Sequence, residues 1–125
     1  MARLREIVID SIHPAGLARF WAAALDGYRV RPYDEVEIAR LAGLGLTPET
    51  DPTVLVDGSG PILCFQKVEA RKSLRNRIHL DIVGVVRSEE VARLAALGAR
   101  VRDEHERFTV MLDPEGNEFC VQDPG

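Results

Sequence analysis

Polar and apolar positions alternate with a period of two along residues 4–10, where Arg5, Ile7 and Ile9 take one side and Leu4, Glu6, Val8 and Asp10 the other. Such alternation in a β-branched run predicts a strand with one buried face. The period then lengthens. Leu17, Phe20, Trp21, Ala24 and Leu25 recur at i, i+3, i+4, i+7 and i+8, which predicts an amphipathic helix packed through that stripe. Pro14 suits its first turn, where a backbone N–H has no helical acceptor. Gly27 suits the left-handed turn that ends it, and residues 28–31 predict a second strand.

Residues 34–52 are less regular. Asp34 followed by Glu37 has the spacing of a capping box and predicts a short helix through Leu41, broken by Gly43 and Gly45. The segment could serve as a flap or be a surface embellishment. Residues 53–56 and 62–68 predict strands joined by the turn Asp57-Gly58-Ser59-Gly60-Pro61. Alternation returns at residues 77–83, with Ile78, Leu80 and Ile82 opposite Arg77, His79 and Asp81. A helix capped by Ser88, with Glu89 and Glu90 in its first turn and Gly98 after its end, follows. Strands are predicted at 100–103, 108–112 and 118–122, the last two joined by Asp113-Pro114-Glu115-Gly116-Asn117.

Both halves therefore read strand, helix, strand, strand, strand. Residue echoes accompany the plan in the same order. Ile7-Val8-Ile9-Asp10 parallels Ile78-His79-Leu80-Asp81, and Leu17-Ala18-Arg19-Phe20 parallels Val91-Ala92-Arg93-Leu94. Leu25-Asp26-Gly27-Tyr28-Arg29-Val30 parallels Leu97-Gly98-Ala99-Arg100-Val101 with one residue fewer, and Leu63-Cys64-Phe65-Gln66 parallels Phe119-Cys120-Val121-Gln122. Two copies of this length describe a pseudo-symmetric pair, not a solenoid.

Composition narrows the class. The 125 residues suit one domain spanning 1–125, with modules at about 1–68 and 76–125. Apolar residues make up 46% and charged residues 29%, which excludes a disordered chain. The net charge of −4, with signs interspersed, offers no basic stripe for nucleic acid or a membrane surface. No apolar stretch approaches the ~20 residues of a membrane span, and the N-terminus lacks the apolar core of a secretory signal. Cys64 and Cys120 sit singly in apolar segments, so two free thiols in a reducing, cytoplasmic setting are expected.

With these elements in place, the chain resembles the glyoxalase/bleomycin-resistance/dioxygenase (vicinal oxygen chelate) superfamily over nearly its whole length. The stretch from Pro14 through Phe20-Trp21 to Leu25 is similar to the first helix of glyoxalase-like domains. Asn76-Arg77-Ile78-His79-Leu80-Asp81 resembles their fifth strand, and Asp113-Pro114-Glu115-Gly116-Asn117-Glu118-Phe119-Cys120 their terminal hairpin. The resemblance implies an α+β fold of two βαβββ modules. Their eight strands would form a cupped sheet, with helices on the outer face and ligand on the inner one. It also implies a homodimer.

Alternation assigns side chains to faces. Ile7, Ile9, Leu63, Phe65, Ile78, Leu80, Ile82, Phe119 and Val121 would pack against helices. Glu6, Asp10, Cys64, Gln66, His79, Asp81, Glu118, Cys120 and Gln122 would line the other face, as a polar cavity or as an exposed sheet surface. Metal-binding relatives place a histidine where His79 stands, and a neutral imidazole suits most divalent metals. The resemblance thus implies one divalent ion (zinc, nickel, manganese or iron) held by Glu6, His79 and Cys120. On residue chemistry alone, His79 could instead pair with Asp81, and the two cysteines could be small buried hydrophobes. Relatives carry a carboxylate where Cys120 stands, so the resemblance does not extend cleanly to a glyoxalase I type of isomerase. The first strand has two registers: counting back from the helix sets Glu6 opposite His79, whereas the Ile-Val-Ile-Asp echo sets Val8 there. His13 and His105 read as surface residues, and Trp21 as core.

Three functions fit. One is a metal-dependent isomerase, lyase or dioxygenase acting on a small chelating substrate. A second is a metal-free ligand-sequestering protein of the bleomycin-resistance type, in which Gln66, His79, Asp81 and Gln122 hydrogen-bond the ligand. A third is a structural or regulatory module.

Overall fold

A computed structural model describes residues 1–125. The chain forms two compact units, Met1–Arg71 and Lys72–Gly125, each with a four-stranded mixed sheet. The α+β class and the two-module plan expected from the sequence are both present.

In the first unit the order is β1 (Glu6–Ser11), α1 (Pro14–Ala24), β2 (Arg29–Val30), α2 (Glu35–Gly43), β3 (Thr53–Asp57) and β4 (Ile62–Lys67). The sheet runs β1-β4-β3-β2, with β1 parallel to β4 and the other pairs antiparallel. The helical stripe does what its spacing predicts: Leu17, Phe20 and Trp21 are buried against the sheet face that carries Val54, Val56, Leu63 and Phe65. Phe20 and Trp21 meet edge to face, their centroids 5.3 Å apart. Each large side chain so buried contributes about 1.5–3 kcal/mol, and this face holds the unit together.

The turn between β3 and β4 needs its glycines for a steric reason. Tyr28 lies across it and donates from its hydroxyl to the Pro61 carbonyl at 2.9 Å. A Cβ on Gly58 would sit 2.4 Å from the ring's Cγ, and one on Gly60 2.6 Å from the hydroxyl. The irregular segment is also pinned. Leu41 of α2 is buried, Asp34 caps α2 by accepting from the Glu37 N–H, Arg19 binds Glu49 through two hydrogen bonds, and the Tyr33 hydroxyl donates to buried Asp51 at 2.7 Å. Of the two expectations for residues 34–52, these anchors favour a fixed surface element over a loose flap.

The second unit comprises β5 (Leu80–Val83), α3 (Arg87–Ala96), β6 (Arg100–Glu104), β7 (Phe108–Leu112) and β8 (Glu118–Gln122), in the sheet order β5-β8-β7-β6. Leu94 of α3 and the face carrying Phe119, Val121 and Met111 are fully buried. The β7–β8 turn is built on Asp113, whose Oδ1 accepts from the N–H groups of Glu115 and Asn117 and whose Oδ2 accepts from Asn117 Nδ2. Gly116 takes φ +85° there, a conformation that favours glycine.

Three expectations need correction. The fifth strand begins at Leu80, not at residue 77, and Ile78 is 77% exposed instead of packing on a helix. Leu80 pairs with Phe119, so a longer strand would have to pair with the Asp113–Asn117 turn, whose backbone groups are already committed. Ser88 does not cap α3; the helix starts at Arg87 after Val86, with no side-chain cap. Finally, the Ile-Val-Ile-Asp echo is two residues out of structural register. Val8 pairs with Cys64 and Asp81 pairs with Cys120, which sets Val8 in the place of Asp81 and leaves Glu6 in the place of His79. The register counted back from the helix is the structural one.

Candidate functional site

Strand parity in the second unit separates core from chemistry. Leu80, Ile82, Phe119 and Val121 point to the helix side, while Asp81, Glu118, Cys120 and Gln122 point away from it. Asp81 and Cys120 are direct partners on adjacent parallel strands, a spacing that brings their side chains together. His79 precedes β5 by one residue and reaches the same face. Its Nδ1 lies 3.5 Å from Asp81 Oδ1.

Imidazole nitrogen, carboxylate oxygen and thiol sulfur of His79, Asp81 and Cys120 all fall within 4.8 Å of one another. Cys120 forms the buried base of this cluster, whereas His79 and Asp81 are about half exposed. Burial, followed by the Asp81 carboxylate, pushes the Cys120 thiol up, with Arg102 opposing weakly.

Glu118, two residues before Cys120 on the same face, is spoken for. It accepts from the Asn76 N–H at 2.8 Å and pairs with Lys72 at 3.2 Å. Burial pushes its carboxyl up, but these partners outweigh burial and hold it below the usual range. Its role here is to tie residues 72–76 onto β8. On the far side Arg102 faces Glu118 with Nη1 3.7 Å from Oε1.

The other sequence candidates lie elsewhere. Gln122 ends β8 opposite Val83, two residues beyond Cys120. Glu6 and Gln66 belong to the first unit, where Glu6 pairs with Ile62 and Gln66 with Asp10. Cys64 sits between Val8 and Leu55 and is buried, with its thiol pushed up first by burial and then by Glu6. That face has no carboxylate where the second unit has Asp81. His13 pairs with Glu49 at the surface, His105 stacks on Phe108, and Trp21 is core.

Sequence reasoning had Asp81 as a ligand-binding group and as a partner for His79, not as a third donor beside Cys120. The cross-strand register that joins them is invisible in one dimension. Arg102 was missed for a related reason: its approach to Glu118 follows from β6 and β8 flanking β7, a neighbourhood the linear sequence does not show.

The three donors fit one divalent ion. In a tetrahedral zinc site with bonds of ~2.0–2.3 Å, donor atoms stand roughly 3.3–3.8 Å apart. The 3.5 Å His79–Asp81 separation already matches this, and two half-exposed side chains can close the rest by small rotations. A mixed nitrogen, oxygen and sulfur set suits zinc best among the ions expected.

Comparison with known proteins agrees with the architecture. The chain matches several solved structures at low identity. A glyoxalase/bleomycin resistance protein/dioxygenase family enzyme from Burkholderia phytofirmans PsJN is 16% identical, with 98% of each chain covered and a TM-score of 0.65. The fosfomycin resistance protein FosX from Mesorhizobium loti is 12% identical, with 98% of this chain and 91% of that one covered and a TM-score of 0.68. The trypanothione-dependent glyoxalase I of Leishmania major is 19% identical, with 98% and 87% covered and a TM-score of 0.62. At these identities the likeness concerns the fold. No curated protein matches by sequence. The family model described as the Glyoxalase-like domain matches residues 6–122, and the chain belongs to that family.

Proposed function

We propose that this protein binds a small organic molecule over the polar sheet face of its second unit, with one divalent ion, zinc by donor preference, held by His79, Asp81 and Cys120. The convergence of those three donor types on one face carries the reading. Three protein ligands leave a fourth position for water or a substrate oxygen. When bound, the ion supplies Lewis acidity and a water of lowered pKa. The chain's own groups set the geometry: Cys120 anchors from the buried base, His79 and Asp81 close over it from the exposed side, and Gln122 offers an amide along the same strand.

A metal-free sequestering protein is the second reading. It is supported by the raised thiol of Cys120 and by the contact of His79 Nδ1 with Asp81 Oδ1 at 3.5 Å, which sets the two side chains against each other without a metal. We extend either reading to residues 1–125 acting as one domain, in a homodimer, in a reducing compartment where Cys64 and Cys120 stay free.

Elemental analysis of protein purified from metal-replete medium separates the two. One zinc per chain, lost in His79→Ala and in Cys120→Ser, is the expected result. Metal-free wild-type protein that also takes up no added zinc in equilibrium dialysis would refute the metal centre, and thermal shifts with small aromatic and dicarbonyl compounds would then test sequestration.

A further inference from the structure

We infer that Arg102 is the anchor for an oxyanion on the molecule bound at the metal face, so that the ligand class is a small carboxylate or phosphonate. The inference rests on the metal reading above and adds to it. It begins with the bulge. Val101 pairs with Met111 and Asp103 with Val110, which leaves Arg102 as the extra residue with no partner across the ladder. Val101 lies opposite Met111 and so in the row of core-side Phe119, which puts Arg102 on the face that holds Glu118 and Cys120. Its guanidinium reaches over β7 to within 3.7 Å of a Glu118 oxygen two strands away.

How Arg102 is bonded matters as much as where it points. Arg31 uses Nε and Nη2 on Asp57, and Arg19 uses both Nη atoms on Glu49, so these forks are closed by carboxylates. Arg102 bonds only through Nε, to the neighbouring Asp103 at 2.8 Å. Both of its Nη groups lack a hydrogen bond, since 3.7 Å to Glu118 is too long for one. Glu118 does not close that gap, because Asn76 and Lys72 already hold its oxygens. The result is a half-exposed guanidinium on the site face whose two Nη groups make no hydrogen bond. Two parallel N–H groups match the two oxygens of a carboxylate or phosphonate. A lysine supplies the charge without that fork.

Cobalt provides the test, because a thiolate ligand gives Co(II) an intense near-ultraviolet band that reports both metal uptake and changes at the open position. Cobalt-loaded wild-type protein would be titrated with methylphosphonate, acetate and imidazole, the last a neutral ligand. In Arg102→Gln both oxyanions should bind more weakly by about tenfold or more, the usual worth of a bidentate charge-assisted contact. Imidazole binding and the cobalt spectrum should not change. Arg102→Lys should recover only part of the loss. A larger loss for methylphosphonate than for acetate would assign the phosphonate class, and the reverse the carboxylate class. Oxyanion affinity within about twofold of wild type in Arg102→Gln, or an equal loss for imidazole, would overturn the inference while leaving the metal centre standing. Wild-type protein that binds no cobalt would remove the metal reading and this one together.

Discussion

Asp113 is the residue on which the geometry of β8, and so of Cys120, most depends. Its side chain is buried and accepts three hydrogen bonds, at 2.9 Å from the Glu115 N–H, 3.0 Å from the Asn117 N–H and 2.8 Å from Asn117 Nδ2. Asp113→Ala deletes both carboxylate oxygens and strands the three donors. Hydrogen bonds to a charged group are each worth about 1.5–3 kcal/mol, but desolvating the carboxylate offsets part of that sum. A net of about 1 kcal/mol per bond gives a loss of ~3 kcal/mol for Asp113→Ala. Asp113→Asn can keep one side-chain oxygen as acceptor for both backbone donors while losing the Asn117 Nδ2 bond, so it should cost about 1–2 kcal/mol. Urea denaturation followed by far-ultraviolet circular dichroism measures the totals. Amide exchange at Phe119, Cys120 and Val121 shows whether the loss is local to the β7–β8 hairpin, as it should be. A cost for Asp113→Ala below about 0.5 kcal/mol, or one that leaves those amides equally protected, would refute the reasoning.

Other substitutions probe separate parts of the molecule. Gly58→Ala should cost about 2–4 kcal/mol, because its Cβ would meet the Tyr28 ring at 2.4 Å and displace the hydroxyl from Pro61; in a Tyr28→Ala background most of that cost should vanish, which a double-mutant cycle in urea measures. Burial pushes both thiols up, so without metal Cys64 and Cys120 should react slowly with iodoacetamide at neutral pH, and zinc should protect Cys120 alone, as peptide mass mapping would show. Arg31, as a hydrogen-bond donor, holds the Asp57 carboxyl below its ordinary range. Its unfolded value is therefore higher than its folded one, and the stabilisation is present above the former and lost as pH falls through the latter. Both side chains are more than a third exposed, so Asp57→Asn should cost well under ~1 kcal/mol at pH 7 and nothing once the carboxylate is protonated, read from melting temperatures against pH.

Much of the fold was legible because its signals are local. The stripe from Leu17 to Leu25, the glycines at 27 and 98, and the Asp-Pro-Glu-Gly-Asn turn each carry their own physics, and all appear where they were expected. What the sequence concealed is set by pairing between distant segments. The start of β5 depends on where β8 begins, some forty residues later. The two-residue slip in the first-strand echo arises because any alternating strand matches itself when shifted by two. The site divides the same way. His79 and Cys120 could be nominated from resemblance and Asp81 from alternation, but their convergence follows from the β5–β8 register. Arg102 was not nominated because its approach to Glu118 follows from the strand order around β7 and not from any local pattern.

Along β8 a single strand serves two masters in strict turn. Positions 119 and 121 are sealed in the interior, and 118, 120 and 122 look onto the candidate site. On the proposed reading, substitution at the odd positions is felt as lost stability and at 120 and 122 as altered ligand preference, so the two traits can drift almost independently within five residues. A library restricted to 120 and 122 would vary the candidate site while leaving the 119 and 121 core positions and the Glu118 tie to residues 72–76 intact. The same device lets one architecture be reassigned to new chemistry without being rebuilt.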